Sequence, residues 1–194
     1  CEMAEAAIAV QDYPRAIERF STISGAEGQY NLGNALAKAK RYDDAIAAYQ
    51  VVKEKYPETP QATEADYWIA ICTQQNGDNA AALPLLDAFG TANAKSPFAP
   101  LALYMKGNAQ IALEKKAEGV ATLTAVAETY PDSQPAPFTY FTRAQIAGSE
   151  GKADEVVALM KKFIEKYPTD NKVYFAYESV AQTALNAGKT DEAL

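Results

Sequence analysis

The chain contains no histidine. That removes the commonest general base and the commonest metal ligand together, and with them every catalytic dyad or triad built on a histidine base. Cys1 and Cys72 have no metal-ligand spacing and form no C-x-x-C pair. Carboxylates do recur, as Asp43-Asp44, Asp154-Glu155 and Asp191-Glu192, with Glu118 in the equivalent place. Paired carboxylates are the raw material of acid–base catalysis. Here each pair opens a helical pattern, where acidic groups complement the helix dipole, and that reading takes precedence. Gly107-Asn108 and Gly148-Ser149-Glu150-Gly151 lack the spacing and the preceding strand of a phosphate loop. No catalytic residue, metal ligand or cofactor is expected, and the chain is read as a non-enzyme. What remains is a set of aromatic and amide side chains recurring at one interval, suited to contact rather than to bond breaking.

The elements that position them are clearest over residues 26–59. Leu32, Gly33 and Leu36 share one side of a first helix, and Ala45, Tyr49 and Val52 share one side of a second. Lys40-Arg41-Tyr42 leaves room only for a tight turn between them. Asp43 and Asp44 open the second helix, Lys53 and Lys55 lie in its last turns, and Pro57 stops it.

This plan repeats with a period of 37 residues. A small helix-crossing residue recurs as Gly33, Ala70, Gly107, Ala144 and Ala181. An aromatic recurs as Tyr30, Tyr67, Tyr104 and Phe141, and fails at Glu178. The turn reads Lys40, Gly77, Glu114, Gly151 and Gly188. The second helix pairs a small residue (Ala45, Ala82, Gly119, Val156) with a larger one (Tyr49, Leu86, Leu123, Met160). Tyr56-Pro57, Tyr130-Pro131 and Tyr167-Pro168 close the units, and Asn93-Ala94 interrupts that series. One helix pair cannot bury its apolar face alone, so a fixed period of this size predicts an all-α solenoid.

Leu32-Gly33, Leu36, Ala45, Tyr49 and Pro57 stand at the spacing of the L-G-x2-Y…A-x3-F…P pattern, and the unit resembles a tetratricopeptide repeat (TPR). Gln29 replaces the usual Trp, and Leu36 replaces the second aromatic. The usual unit has roughly 34 residues, and the extra ones fall after the proline, at Pro60-Gln61-Ala62 and equivalents. The resemblance implies a right-handed superhelix of antiparallel helix pairs, with the first helices lining a concave groove for a protein or peptide partner. Carried onto this sequence, the expected partner-binding residues are Tyr30, Asn34, Lys38, Tyr67, Tyr104, Asn108, Phe141 and Gln145. For each aromatic, core packing against the next repeat is an equal alternative. The amides offer donors and acceptors to a peptide backbone, and the tyrosines offer flat area with one polar tip. No matching Lys-Arg pair supports a carboxylate clamp. Long units closing on Tyr-Pro resemble repeats of bacterial cell-envelope proteins, so the periplasm or envelope is expected, with the cytoplasm as the alternative.

Composition agrees with a folded array of this kind: 194 residues, 48% hydrophobic and 22% charged. A net charge of −7 argues against nucleic acid as partner, and no apolar run reaches the ~18 residues of a membrane span. The array is expected to occupy 1–194 as one unit: a partial repeat over 1–25, repeats over about 26–62, 63–99, 100–136 and 137–173, and a partial repeat over 174–194. Both ends read as cuts from a longer protein or as those of a mature chain trimmed at both ends. Cys1 has a second reading as the acylated first residue of a processed lipoprotein, Cys72 is expected to be a buried inert thiol, and cut helix faces near Cys1 or Leu194 predict a homodimer. A structural spacer or self-association module without a ligand is the alternative function. Pro84, inside a second helix, predicts a late start or kink and a short helix.

Overall fold

The computed structural model describes residues 7–9 and 11–188. Helices account for all the regular structure of the described residues. Residues 7–9 are helical, followed by α1 (Tyr13–Ser21), α2 (Ala26–Lys38), α3 (Tyr42–Lys55), α4 (Pro60–Gln75), α5 (Asn79–Ala92), α6 (Ala99–Ala112), α7 (Lys116–Thr129), α8 (Ala136–Ser149), α9 (Ala153–Lys166) and α10 (Val173–Asn186). Each helix packs on the next. First helices of successive units also touch, α2 on α4, α4 on α6 and α6 on α8. Second helices make no comparable contact with one another among the described residues. The first-helix face is therefore the tight, inner side of the array, and the second-helix face is splayed.

The period is visible in the backbone. Lys40, Gly77, Glu114, Gly151 and Gly188 all adopt positive φ, between 60° and 94°, as does Gln11. Each of the five repeat residues sits two residues past the end of its helix, in the left-handed turn that reverses the chain. Behind the turn, Arg41 N–H donates to the Leu36 carbonyl (2.9 Å), Lys115 to Gln110 (2.9 Å) and Lys152 to Ala147 (2.9 Å). Those bonds satisfy carbonyls that a helix end otherwise leaves unpaired.

Inside a unit the helices meet where a small residue faces a large one. Tyr49, Leu86, Leu123 and Met160 are at most 2% exposed. A Cβ on Gly33 would lie 2.6 Å from the Tyr49 ring, and one on Gly107 2.8 Å from Leu123. The core is a row of apolar clusters along the array rather than one centre.

The Tyr-Pro closures have a structural role that the pattern did not reveal. Tyr167 Oη donates to the Pro131 carbonyl (2.8 Å), and Tyr130 Oη donates to the Ala94 carbonyl (3.3 Å). Each hydroxyl thus ties its linker to the linker one unit earlier.

One expectation is corrected. α5 starts on schedule at Asn79 and runs 14 residues, with Pro84 inside it. It is neither late nor short. Pro84 and Ala80 are both exposed, so water can reach the Ala80 carbonyl that loses its donor, and the cost of proline falls where solvent offsets it. The expectations on Cys1 and on 190–194, including Leu194, lie outside the described residues.

Candidate partner-binding groove

The first helices α2 and α4 lie side by side on the inner face, and a cavity of about 410 Å³ opens between them. Asn31, Asn34 and Lys38 on α2 form one wall. Trp68, Ile71 and Gln75 on α4 form the other. Tyr49 and Cys72 line the same cavity between the walls, both at most 1% exposed. Among the described residues no carboxylate lines it, and Lys38 is the one cation that does.

The walls are held by hydrogen bonds. Tyr49 Oη passes Gly33 and donates to Asn34 Oδ1 (2.7 Å), and Asn34 Nδ2 donates to Asn31 Oδ1 (3.3 Å). Tyr30 Oη donates to Glu64 Oε2 (2.5 Å) and accepts from Trp68 Nε1 (2.9 Å). Gln74 Nε2 reaches the Met105 carbonyl on α6 (3.0 Å). Burial, reinforced by the Glu64 carboxylate, raises the Tyr30 hydroxyl far above its ordinary value, and burial does the same to Tyr49 and Tyr67. These phenols stay protonated, and those of Tyr30 and Tyr49 donate. Burial also pushes the Cys72 thiol up to about 11, which leaves it unreactive at neutral pH.

The predicted residues divide into groups. Asn34 and Lys38 line the cavity. Tyr30 is half-buried and braces Trp68. Tyr104 and Asn108 are half-buried further along, on α6. Gln145 is exposed on α8. Phe141 meets the Phe163 ring edge-on at 4.7 Å. Tyr67 requires a correction: it is 1% exposed and stacks on Phe98 at 4.9 Å. Its alternative reading as core holds, because Phe98 in the following linker covers the ring and leaves no surface for a partner.

Trp68 and Asn31 were missed. They occupy one repeat position, a residue past the aromatic row, and the sole tryptophan of the chain was the signal available. Among the described residues no cluster of three potential metal ligands occurs. The groove can hold an apolar side chain, pair amides with a backbone and set Lys38 against a carboxylate.

Known proteins bear on this arrangement. Sequence models of the tetratricopeptide repeat match residues 1–60 and 30–97, and a second such model matches 101–133. No curated protein matches the sequence. Among solved structures, MamA residues 41 to the end from Desulfovibrio magneticus RS-1 is similar at 16% identity, with a TM-score of 0.70, over 88% of this chain and 94% of that one. A tetratricopeptide repeat protein from Parabacteroides merdae ATCC 43184 is 18% identical, TM-score 0.67, over 99% and 73%. The apo form of RapI is 10% identical, TM-score 0.77, over 97% and 58%. At these identities the structures speak for the fold alone. The repeat positions that pack the helices, and the match of the repeat models over half the sequence and more, make this chain a member of the tetratricopeptide repeat family.

Proposed function

We propose that this chain is a non-catalytic scaffold that holds an extended or helical segment of a partner protein along its first-helix face, with an apolar side chain anchored between α2 and α4. The observation behind this reading is the cavity itself: apolar lining from Ile8, Phe20, Ala37, Trp68 and Ile71, amides at the rim, and Lys38 with no carboxylate among the described lining residues. A preformed apolar site with a few oriented polar groups is the usual form of a binding site. Tyr104, Asn108 and Gln145 extend the track along α6 and α8. The reading includes a bacterial cell envelope as the setting, from the long units closing on Tyr-Pro.

Affinity capture from soluble and envelope fractions tests it, using the chain, a Lys38→Ala/Gln75→Ala variant and a Tyr104→Ala/Asn108→Ala variant. A partner recovered from the envelope fraction and lost with both variants is the expected result. Equal capture by all three baits removes the groove from the function. Capture from the soluble fraction alone removes the envelope.

A further inference from the structure

The splayed outer face contains two clefts at equivalent repeat positions, and the ion pair across the first is missing from the second. In the first, Lys106 on α6 lies beneath Asp87 on α5, and the two form an ion pair. In the second, Arg143 on α8 stands where Lys106 stands, and Thr124 on α7 stands where Asp87 stands. The carboxylate is gone and the cation remains. This cleft measures about 250 Å³. Arg143 is two residues from Gln145, which places it across α8 from that groove position at ~100° per residue.

The loss of the internal partner leaves its trace on Arg143. Its guanidinium sits over the Tyr140 ring, 5.7 Å from the centroid. Its Nε is buried and finds no acceptor among the described residues. Lys162 and Lys166 on α9 line the same cleft, with Glu128 and Glu165. No ion pair joins Arg143 to either glutamate among the described residues. The cleft has three basic and two acidic side chains, in a chain whose net charge is −7. A buried donor without an acceptor is unfavourable, and a carboxylate suits the guanidinium fork better than other acceptors do.

We propose that this outer cleft is a second docking site, and that its occupant is an aspartate or glutamate side chain of a partner protein, which takes the place that Asp87 fills one unit earlier. Asp87 is the internal template: the fold already shows which group closes this cleft when the chain supplies it. The site is independent of the first-helix groove, so it stands or falls separately from the proposal above.

The chain has four arginines, so the Arg143 Nε–Hε signal is resolvable by nitrogen-15 NMR and assignable with Arg143→Lys. The probe is acetyl-Ala-Glu-Glu-Ala-Glu-Ala-amide, with the peptide carrying Gln for each Glu as control and inorganic phosphate as a third arm. The expected result is a saturable shift with the Glu peptide alone, in the millimolar range (~1 mM), and its loss in Thr124→Asp. Arg143→Gln must also lose the peptide-induced backbone shifts of α7 and α9, which keeps the test decisive if Thr124→Asp folds poorly. No shift by ~10 mM, or the same shift in Thr124→Asp, overturns the proposal. An equal response to phosphate makes the cleft a free-anion site and overturns protein docking. A shift produced by Glu128→Gln or Glu165→Gln without peptide shows the cleft to be internally paired, which also overturns it.

Discussion

The first and last complete units use the same repeat positions to different ends. Between α2 and α3, Gly33 faces Tyr49, whose ring fills the crossing and whose hydroxyl emerges to hold Asn34 in the groove. Between α8 and α9, Ala144 and Met160 hold the equivalent positions in one apolar cluster, and the thioether has no hydroxyl to send into the groove. Around the first crossing the aromatics are hydrogen-bonded: Tyr30 to Glu64, Trp68 to Tyr30. Around the last they are packed ring on ring, Tyr140, Phe141, Phe163 and Tyr167 together. A small residue opposite a large one is enough to cross two helices. Which large residue is chosen decides whether the crossing also shapes the groove.

Alkaline pH should break this symmetry most visibly. Tyr30, Tyr49 and Tyr67 have hydroxyls raised well above the unfolded value of ~10. Above that pH the unfolded chain loses protons that the folded chain keeps, so stability is full below ~10 and falls as pH rises. Hydrogen exchange followed upward from pH 9 should show α2–α4 opening before α8–α10, where Tyr167 is raised with less of its surface buried. Simultaneous opening would erase the contrast.

Substitutions give smaller effects. Tyr49→Ala should cost about 3–5 kcal/mol in urea unfolding, and a loss below about 1 kcal/mol would show that the ring does not fill the crossing. Gly33→Ala should cost about 1–3 kcal/mol because the new methyl meets the Tyr49 ring. Gly148→Ala, whose Cβ would meet only Val156 at 3.7 Å, should instead gain up to about 1 kcal/mol; equal effects would mean the glycines are not chosen by neighbour size. Smallest are the turns: Lys40→Gly and Glu114→Gly should raise the melting temperature by a degree or more, from under about 1 kcal/mol each, while Gly77→Ala should lower it, at a cost of about 1 kcal/mol in stability.

Much of this was legible beforehand because the period reports backbone. The turn series Lys40, Gly77, Glu114, Gly151 and Gly188 marks five left-handed residues, and the small and large series mark buried crossings. The groove was less legible because a repeat position fixes where a side chain starts, not what lies beside it. Tyr30 and Tyr67 share a row, yet Phe98 seals Tyr67 while Tyr30 meets Trp68 and Glu64. Asn31 and Trp68 escaped because their row mixes Asn, Trp, Met and Thr and has no type to recognise. Pro84 misled because a local penalty was weighed without knowing that Ala80 faces water.

The linker hydroxyls have a mechanical consequence. Tyr130 and Tyr167 rivet neighbouring linkers together along the outside of the spiral. At the corresponding step Asn93 is too short to span the distance a tyrosine covers. Tyr56 makes no such tie either among the described residues. A tension applied between the ends is therefore shared unequally: the riveted stretch from Ala94 to Tyr167 resists, and the coil pays out first over the turns before it, where the cavity lies.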